Sequence, residues 1–151
     1  IALCENGVPV AGVIDQPILK ERWIGSPGQP TTFNSVPVRT APCPNLSSAR
    51  CGSTSPSQIP DLWPKLYTRT KMMVWGGDCY SYGLMTLGGI DVIIESGLQP
   101  YDFAALVPVI TGAGGQMCDW DGSPLTLASN GRTIALGDVR LKETVLALLK
   151  N

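Results

Sequence analysis

Apolar positions follow two successive textures along this chain. Up to about residue 44 they come in short stretches separated by turn residues, and beyond it compact apolar runs alternate with segments of helical spacing. Residues 1–4 and 8–15 flank Glu5-Asn6-Gly7, and Asn-Gly between β-rich runs predicts a hairpin because both residues accept positive φ. Pro17 breaks the second run, and residues 21–25 read as a further short strand. Pro27, Gly28, Pro30, Pro37, Pro42 and Pro44 punctuate the next stretch, which predicts a loop with at most an edge strand at 36–39.

In the second texture, residues 49–53 read as a strand, 60–70 as a helix with Pro60 near its first turn, and 72–75 as a buried strand. A helix is predicted over 78–87, capped by Asp78 and ended by Gly88-Gly89. A strand at 90–95, a helix opened by Asp102 and running to 111, a strand at 116–120 closing on an Asp121-Gly122 turn, and a strand at 133–137 follow. Pro108 falls inside the helix from Asp102, where a proline removes a hydrogen bond and kinks the chain. Asp138 is placed to cap a last helix whose Leu141, Val145, Leu148 and Leu149 share one face. The alternation of strands and helices predicts a layered α/β arrangement, with residues 1–151 forming one region.

Composition narrows the chemistry. A hydrophobic fraction of 44% with 15% charged residues describes a chain that buries a core. The net charge of −1 offers no footprint for nucleic acid, whose binding rests on clustered lysines and arginines. Histidine is absent, which excludes His-based acid–base work and His-ligated zinc within these residues. Five cysteines, widely spaced and without a Cys-x-x-Cys pair, fit a reducing compartment better than a disulfide framework or a zinc site. No apolar run reaches the ~18 residues of a membrane span, and the N-terminus has no signal-peptide pattern. The chain opens on Ile1-Ala-Leu-Cys4 as if inside a strand, so we expect a preceding segment that this sequence does not include.

Three carboxylates, Asp78, Glu95 and Asp102, fall at predicted strand–helix junctions. Ligands of open α/β sheets bind beyond the carboxyl ends of the strands, where helix N-termini also point. Clustered carboxylates without histidine favour a hard cation such as Mg²⁺, which often shares its oxygen ligands with a substrate phosphate. Each residue also has a plainer account: an aspartate before a helix is most often a cap, and a glutamate at a strand end most often a solvated or salt-bridged charge. Gly112-Ala-Gly-Gly115 lacks the Lys-Ser or Lys-Thr of a phosphate loop and reads as a helix stop. Gly76-Gly77 is better placed to let a ligand approach the backbone. Cys79, with no base near it in sequence, reads as lining rather than nucleophile.

The stretch Pro100-Tyr-Asp-Phe-Ala-Ala-Leu-Val-Pro-Val-Ile-Thr-Gly-Ala-Gly-Gly115 resembles the C-terminal signature of the inositol monophosphatase family. Gly12-Val-Ile-Asp-Gln-Pro-Ile-Leu-Lys-Glu-Arg-Trp-Ile-Gly25, Thr54-Ser-Pro56, Gly76-Gly-Asp-Cys-Tyr80 and Glu95-Ser-Gly-Leu-Gln-Pro-Tyr-Asp102 are similar to its histidinol-phosphatase branch, found in bacteria and plants. The resemblance runs nearly the whole chain, through Ala135-Leu-Gly-Asp138 and the final helix. It implies the layered α/β/α/β/α sugar-phosphatase fold, Mg²⁺-dependent phosphomonoester hydrolysis and a homodimer, in the bacterial cytoplasm or a plant organelle's stroma. It further implies that Asp102 ligates metal, that Glu95 contacts the leaving-group portion of the substrate, and that Gly77, Asp78 and Cys79 meet the substrate at a strand-to-helix turn.

An acidic Asp78 suits cationic histidinol phosphate better than a polyol phosphate. The family's first signature, of the Asp-Pro-Ile-Asp-Gly-Thr type, and its upstream acidic pair do not occur here. The resemblance therefore implies a C-terminal half without the metal-binding N-terminal half, inactive alone. Two other readings stay open: a phosphatase for inositol phosphate or another sugar phosphate, and a truncated, non-catalytic binding module. Asn34-Ser35 stands where the family commonly has Asn-Gly in a turn.

Overall fold

A computed structural model describes residues 1–150. The first texture folds as an antiparallel sheet in chain order: β1 (Ala2–Glu5), β2 (Val8–Gln16), β3 (Glu21–Gly25), β4 (Thr32–Phe33) and β5 (Val36–Pro37). The first hairpin turns on Asn6 and Gly7, at φ 50° and 79°, as the Asn-Gly signal requires. Inside the proline-rich stretch, β4 and β5 form a second, minimal hairpin. Only its outer strand is legible in the sequence, because two residues make no pattern. Its turn places Asn34 at φ 48° and Ser35 at φ 69°.

The second texture builds a mixed sheet from β6 (Arg50–Ser53), β7 (Met72–Trp75), β8 (Val92–Glu95), β9 (Gln116–Cys118) and β10 (Thr133–Leu136), ordered β7-β6-β8-β10-β9. β6 runs parallel to both β7 and β8, while β10 pairs antiparallel with β8 and β9. β7 is an edge strand with Met72 49% and Trp75 38% exposed, which corrects the expectation of a buried strand. Its Met73 and Val74 are only partly covered, Met73 by the core on the side of α1 (Trp63–Arg69) and Val74 by the core on the other face of the sheet.

Three helix boundaries also differ from the sequence reading. α1 begins at Trp63, so Pro64 and not Pro60 occupies its first turn. The helix expected from Asp102 to 111 is two helices, α3 (Pro100–Phe103) and α4 (Leu106–Gly112). Pro108 has no N–H to offer the carbonyl of Ala104, and the ladder breaks there rather than kinking later. α2 (Asp78–Thr86) ends as expected, with the N–H groups of Gly88 and Gly89 bonded back to Met85 and Leu84 at 3.0 and 2.8 Å. Asp138 caps a 3-10 turn, Val139–Leu141, and α5 (Lys142–Leu149) follows it. The Asp138 carboxyl also accepts from the Cys43 N–H at 2.9 Å, and its bonds from the Arg140 guanidinium hold it well below the usual carboxylate range.

The layers run sheet, helices, sheet, helices. Ile14 and Trp23 of the first sheet pack with Tyr82 and Met85 of α2, Val109 and Ile110 of α4, and Ile93 of β8. The opposite face of the second sheet, through Val92 and Ile94, packs on Leu66 of α1 and Val145 and Leu148 of α5. The layered α/β class is thus borne out. Gly12 and Gly25 are cross-strand neighbours. A Cβ on Gly25 would lie 2.5 Å from the Pro108 carbonyl oxygen, and one on Gly12 would overlap the Ala105 carbonyl. The pair leaves a bare patch on which the backbone of α4 rests.

Buried Asp91 accepts from the Arg50 backbone N–H at 2.8 Å and from its guanidinium at 2.8 and 2.9 Å, tying the start of β6 to the entry of β8. Burial opposes ionisation of Asp91, but the bonds from Arg50 outweigh it and the pKa is lowered. All five thiols are unpaired. Among the described residues no helix is long and apolar enough to cross a membrane.

Ser35 carries a Cβ at a left-handed φ in a two-residue hairpin loop. Ser35→Gly is expected to raise stability by about 0.5–1 kcal/mol, the relief of left-handed strain being partly offset by glycine's larger unfolded-state entropy. Urea denaturation with an unchanged m-value checks this, and a loss of stability would contradict it.

Candidate active site

The chain leaves β6 through α1 to β7 on one side and returns through α2 to β8 on the other, so the connections diverge at the carboxyl end of β6. Such a switch point opens a crevice in α/β sheets. Here a cavity of about 330 Å³ lies there, walled by Thr54, Asp78, Cys79, Tyr82, Glu95, Leu98, Tyr101, Asp102 and Leu106. Of the residues singled out in the sequence, Asp78, Cys79, Glu95 and Asp102 meet in this one cavity. Gly77 does not line it but precedes it as the residue that caps α2. Among the described residues no lysine or arginine lines the cavity.

Glu95 ends β8 and is only 4% exposed. Among the described residues its carboxylate meets no cationic side chain. Thr54 Oγ1 donates to Oε1 at 2.6 Å and the Tyr82 hydroxyl donates to Oε2 at 3.0 Å. This differs from the solvated or salt-bridged charge that a strand-end glutamate usually is. Burial first, and the Glu95 charge second, push the Tyr82 hydroxyl well above its ordinary pKa, so it remains a neutral donor. Behind Glu95, the Trp120 indole N–H lies 3.2 Å from the Glu95 carbonyl and 3.3 Å from that of Thr133, joining the ends of β8 and β10.

Thr54 and Tyr82 belong to the candidate site, and neither is singled out by the sequence pattern. For Tyr82 a signal existed, since it lies four residues after Asp78 and three after Cys79 and so shares their helical face.

Gly76, Gly77 and Asp78 are successive left-handed residues, at φ 80°, 84° and 43°. Asp78 therefore does not cap α2 as its position suggests. The Gly77 carbonyl accepts from the N–H groups of Tyr80 and Ser81 at 2.9 and 3.3 Å, and Ser81 Oγ donates to the Gly76 carbonyl at 3.0 Å. Asp78 is left exposed, its carboxylate at the cavity wall. Left-handed φ costs a non-glycine residue about 1–2 kcal/mol, less for aspartate, and such strain gathers at functional sites. The walls around the Cys79 thiol, and the Asp78 carboxylate beside it, push its pKa up. Its place in the first turn of α2 does not activate it.

Asp102 is the third residue of α3, and its Oδ2 accepts the Gln99 N–H at 2.7 Å, closing back on the residue that precedes the helix. It is exposed and lines the cavity. The donors gathered here are carboxylate and hydroxyl oxygens, which match a hard divalent cation in kind. They fall short in number: among the described residues no three acidic or thiol side chains are grouped to hold a metal ion.

A family model described as the inositol monophosphatase family matches residues 1–151. The chloroplastic bifunctional phosphatase IMPL2 of Arabidopsis thaliana is 44% identical over 161 aligned residues, which cover 99% of this chain and 46% of that protein. A histidinol-phosphatase of Mycobacterium tuberculosis is 33% identical over 135 residues, 81% of this chain and 51% of its own length. Among solved structures, an inositol monophosphatase from Zymomonas mobilis superposes with a TM-score of 0.96 at 44% identity, covering 99% of this chain and 61% of that one. The chain spans about half the length of the curated relatives it matches.

The raised pKa of Cys79 predicts slow alkylation by iodoacetamide at pH 7 and a rate that still climbs above pH 9, because the thiolate is the reactive form. Peptide mass spectrometry across that range checks it. A rate already level by pH 8 would show an activated thiol instead.

Proposed function

The chain belongs to the inositol monophosphatase family, and we propose that it forms the substrate-facing wall of a Mg²⁺-dependent phosphomonoesterase that hydrolyses histidinol phosphate. One observation carries this reading: among the described residues, three carboxylates and no basic side chain line the cavity. At 4 Å and an effective dielectric near 20, each like-charge pair of phosphate and carboxylate costs about 4 kcal/mol. A phosphate therefore enters only with cations, and a hard metal ion and a cationic leaving group are the two that this chemistry supplies. The similarity to the histidinol-phosphatase of M. tuberculosis supports the cationic substrate.

The roles of this chain's own residues follow. Glu95, fixed by two hydroxyls, accepts N–H bonds from the ammonium or imidazolium end of the substrate. Asp78, unpartnered and exposed, adds a second negative charge at the same wall. Gly77 keeps side-chain bulk away from the turn. Cys79 lines that wall without attacking, and Leu98, Tyr101 and Leu106 limit the water around the bound molecule.

Asp102 would give one oxygen to the metal. When bound, the ion would neutralise charge on the phosphate and make a bound water more acidic. Among the described residues no group of three acidic or thiol side chains could hold it unaided, so the reading calls for further carboxylates and, on family resemblance, a homodimer.

Hydrolysis of an inositol phosphate or another sugar phosphate is the second reading, favoured by the likeness to the Z. mobilis enzyme. A substrate panel separates the two on a protein of the relatives' full length that contains these residues. Histidinol phosphate is expected to give the higher kcat/KM, and Asp78→Asn to lower it about fivefold while leaving inositol phosphate within about twofold, the upper scale of one charge–charge contact at an exposed site. Asparagine is chosen because it tolerates φ 43° where a β-branched residue does not. Equal losses on both substrates would count against the cationic reading. Residues 1–151 alone are expected to release no phosphate from histidinol phosphate in Mg²⁺, and measurable release would overturn the need for further ligands.

A further inference from the structure

We infer that Tyr82 and Thr54 are specificity-determining positioning residues, whose hydroxyls hold the buried Glu95 carboxylate as a receptor for a cationic, N–H-bearing group. The inference rests on the substrate class proposed above. Its starting point is an electrostatic imbalance. Glu95 is 4% exposed and forms no ion pair, and its two hydrogen bonds come from neutral hydroxyls at 2.6 and 3.0 Å. Taking a carboxylate out of water without a counter-charge is costly, and neutral donors recover only part of that cost. A ligand that brings a positive charge to this point recovers more of it than one that brings a hydroxyl.

The geometry limits how that charge is met. A carboxylate has about four acceptor positions, and the two hydroxyls take one on each oxygen. Thr54 follows β6 and Tyr82 belongs to α2, so the carboxylate is gripped from a strand end and from a helix. The Tyr82 ring is 1% exposed and packed in the core shared by α2, α4 and the first sheet, which fixes where its hydroxyl stands. The remaining acceptor positions belong to a carboxylate that lines the cavity. A polyol can hydrogen-bond there but leaves the charge uncompensated; an ammonium or imidazolium does both. A site built around a buried charged group discriminates strongly against ligands that leave it unmatched.

Removing one hydroxyl therefore acts through Glu95 and weighs more on the cationic ligand than on the polyol. The test uses the phosphate-free ligands histidinol and inositol, titrated calorimetrically without metal against a protein of the relatives' full length that contains these residues, so that neither turnover nor metal enters. Wild type is expected to bind histidinol more tightly than inositol. Tyr82→Phe and Thr54→Val should each weaken histidinol about tenfold, the scale of a hydrogen bond to a charged group, with inositol within about twofold. Thr54→Ser keeps the hydroxyl and should retain the preference. In a Glu95→Gln background, Tyr82→Phe should add nothing further.

A wild type without preference for histidinol would remove the substrate reading and this inference with it. A wild-type preference that survives both Tyr82→Phe and Thr54→Val would overturn the inference alone. Should Tyr82→Phe fail to fold in a thermal melt, the contrast between Thr54→Ser and Thr54→Val decides.

Discussion

The contact between the backbone of α4 and the bare glycine patch of the first sheet governs much of this structure. Gly12 and Gly25 stand opposite one another, and only the absence of both side chains lets the carbonyls of Ala105 and Pro108 come down onto the strands. That approach brings Val109 and Ile110 against Trp23 and Ile14, fixing the spacing between the two sheets. It also fixes α3, which leads into α4 and carries Asp102 at the cavity wall. Overfilling a packed contact of this kind costs about 1–3 kcal/mol, but the larger effect is on placement, because the sheet bearing Glu95 and the helix bearing Asp102 would no longer face one another at the same separation.

The cavity itself is a consequence of parallel topology. β6, β7 and β8 end at one edge, and the connections part there, so the side chains that follow each strand converge without being neighbours in sequence. Thr54 comes from the first, Asp78 from the second and Glu95 from the third. Their chemistry is lopsided: negative charge with no lysine or arginine among the described lining residues, and hydroxyls spent on holding a carboxylate. An environment of that kind favours cations, and the proposed phosphatase reading is one way in which a family fold can employ them.

Much of the fold is legible along the chain where a local rule dominates. Asn6-Gly7 specifies its hairpin, residues 21–25 read as the strand they form, and the glycines at 88–89 and 112–115 stop their helices as expected. The misreadings occur where two local rules compete. Pro60 and Pro64 both fit a first turn, and only packing chooses Pro64. Asp78 has the side chain of a cap, but two preceding glycines move the cap to Gly77. Pro108 signals a disruption without saying that it falls four residues upstream.

At the candidate site the carboxylates could be found because strand ends are visible in an apolar pattern. The partners of Glu95 are less visible, since Thr54 and Tyr82 reach it only after two strands, β6 and β8, and the helix α2 have assembled. The shortage of metal ligands is likewise a property of three-dimensional grouping rather than of composition.

The left-handed backbone at Asp78 has an evolutionary corollary. A site wall is ordinarily free to exchange residues of any shape as substrates change, but a position at φ 43° admits chiefly aspartate, asparagine and glycine. Charge at this wall can thus be switched on or off by a single conservative exchange, whereas bulk or branching requires the whole Gly76–Asp78 turn to be rebuilt. On the proposed reading, divergence of substrate preference at this point would be channelled into an on–off choice of charge, with size left to the other walls of the cavity.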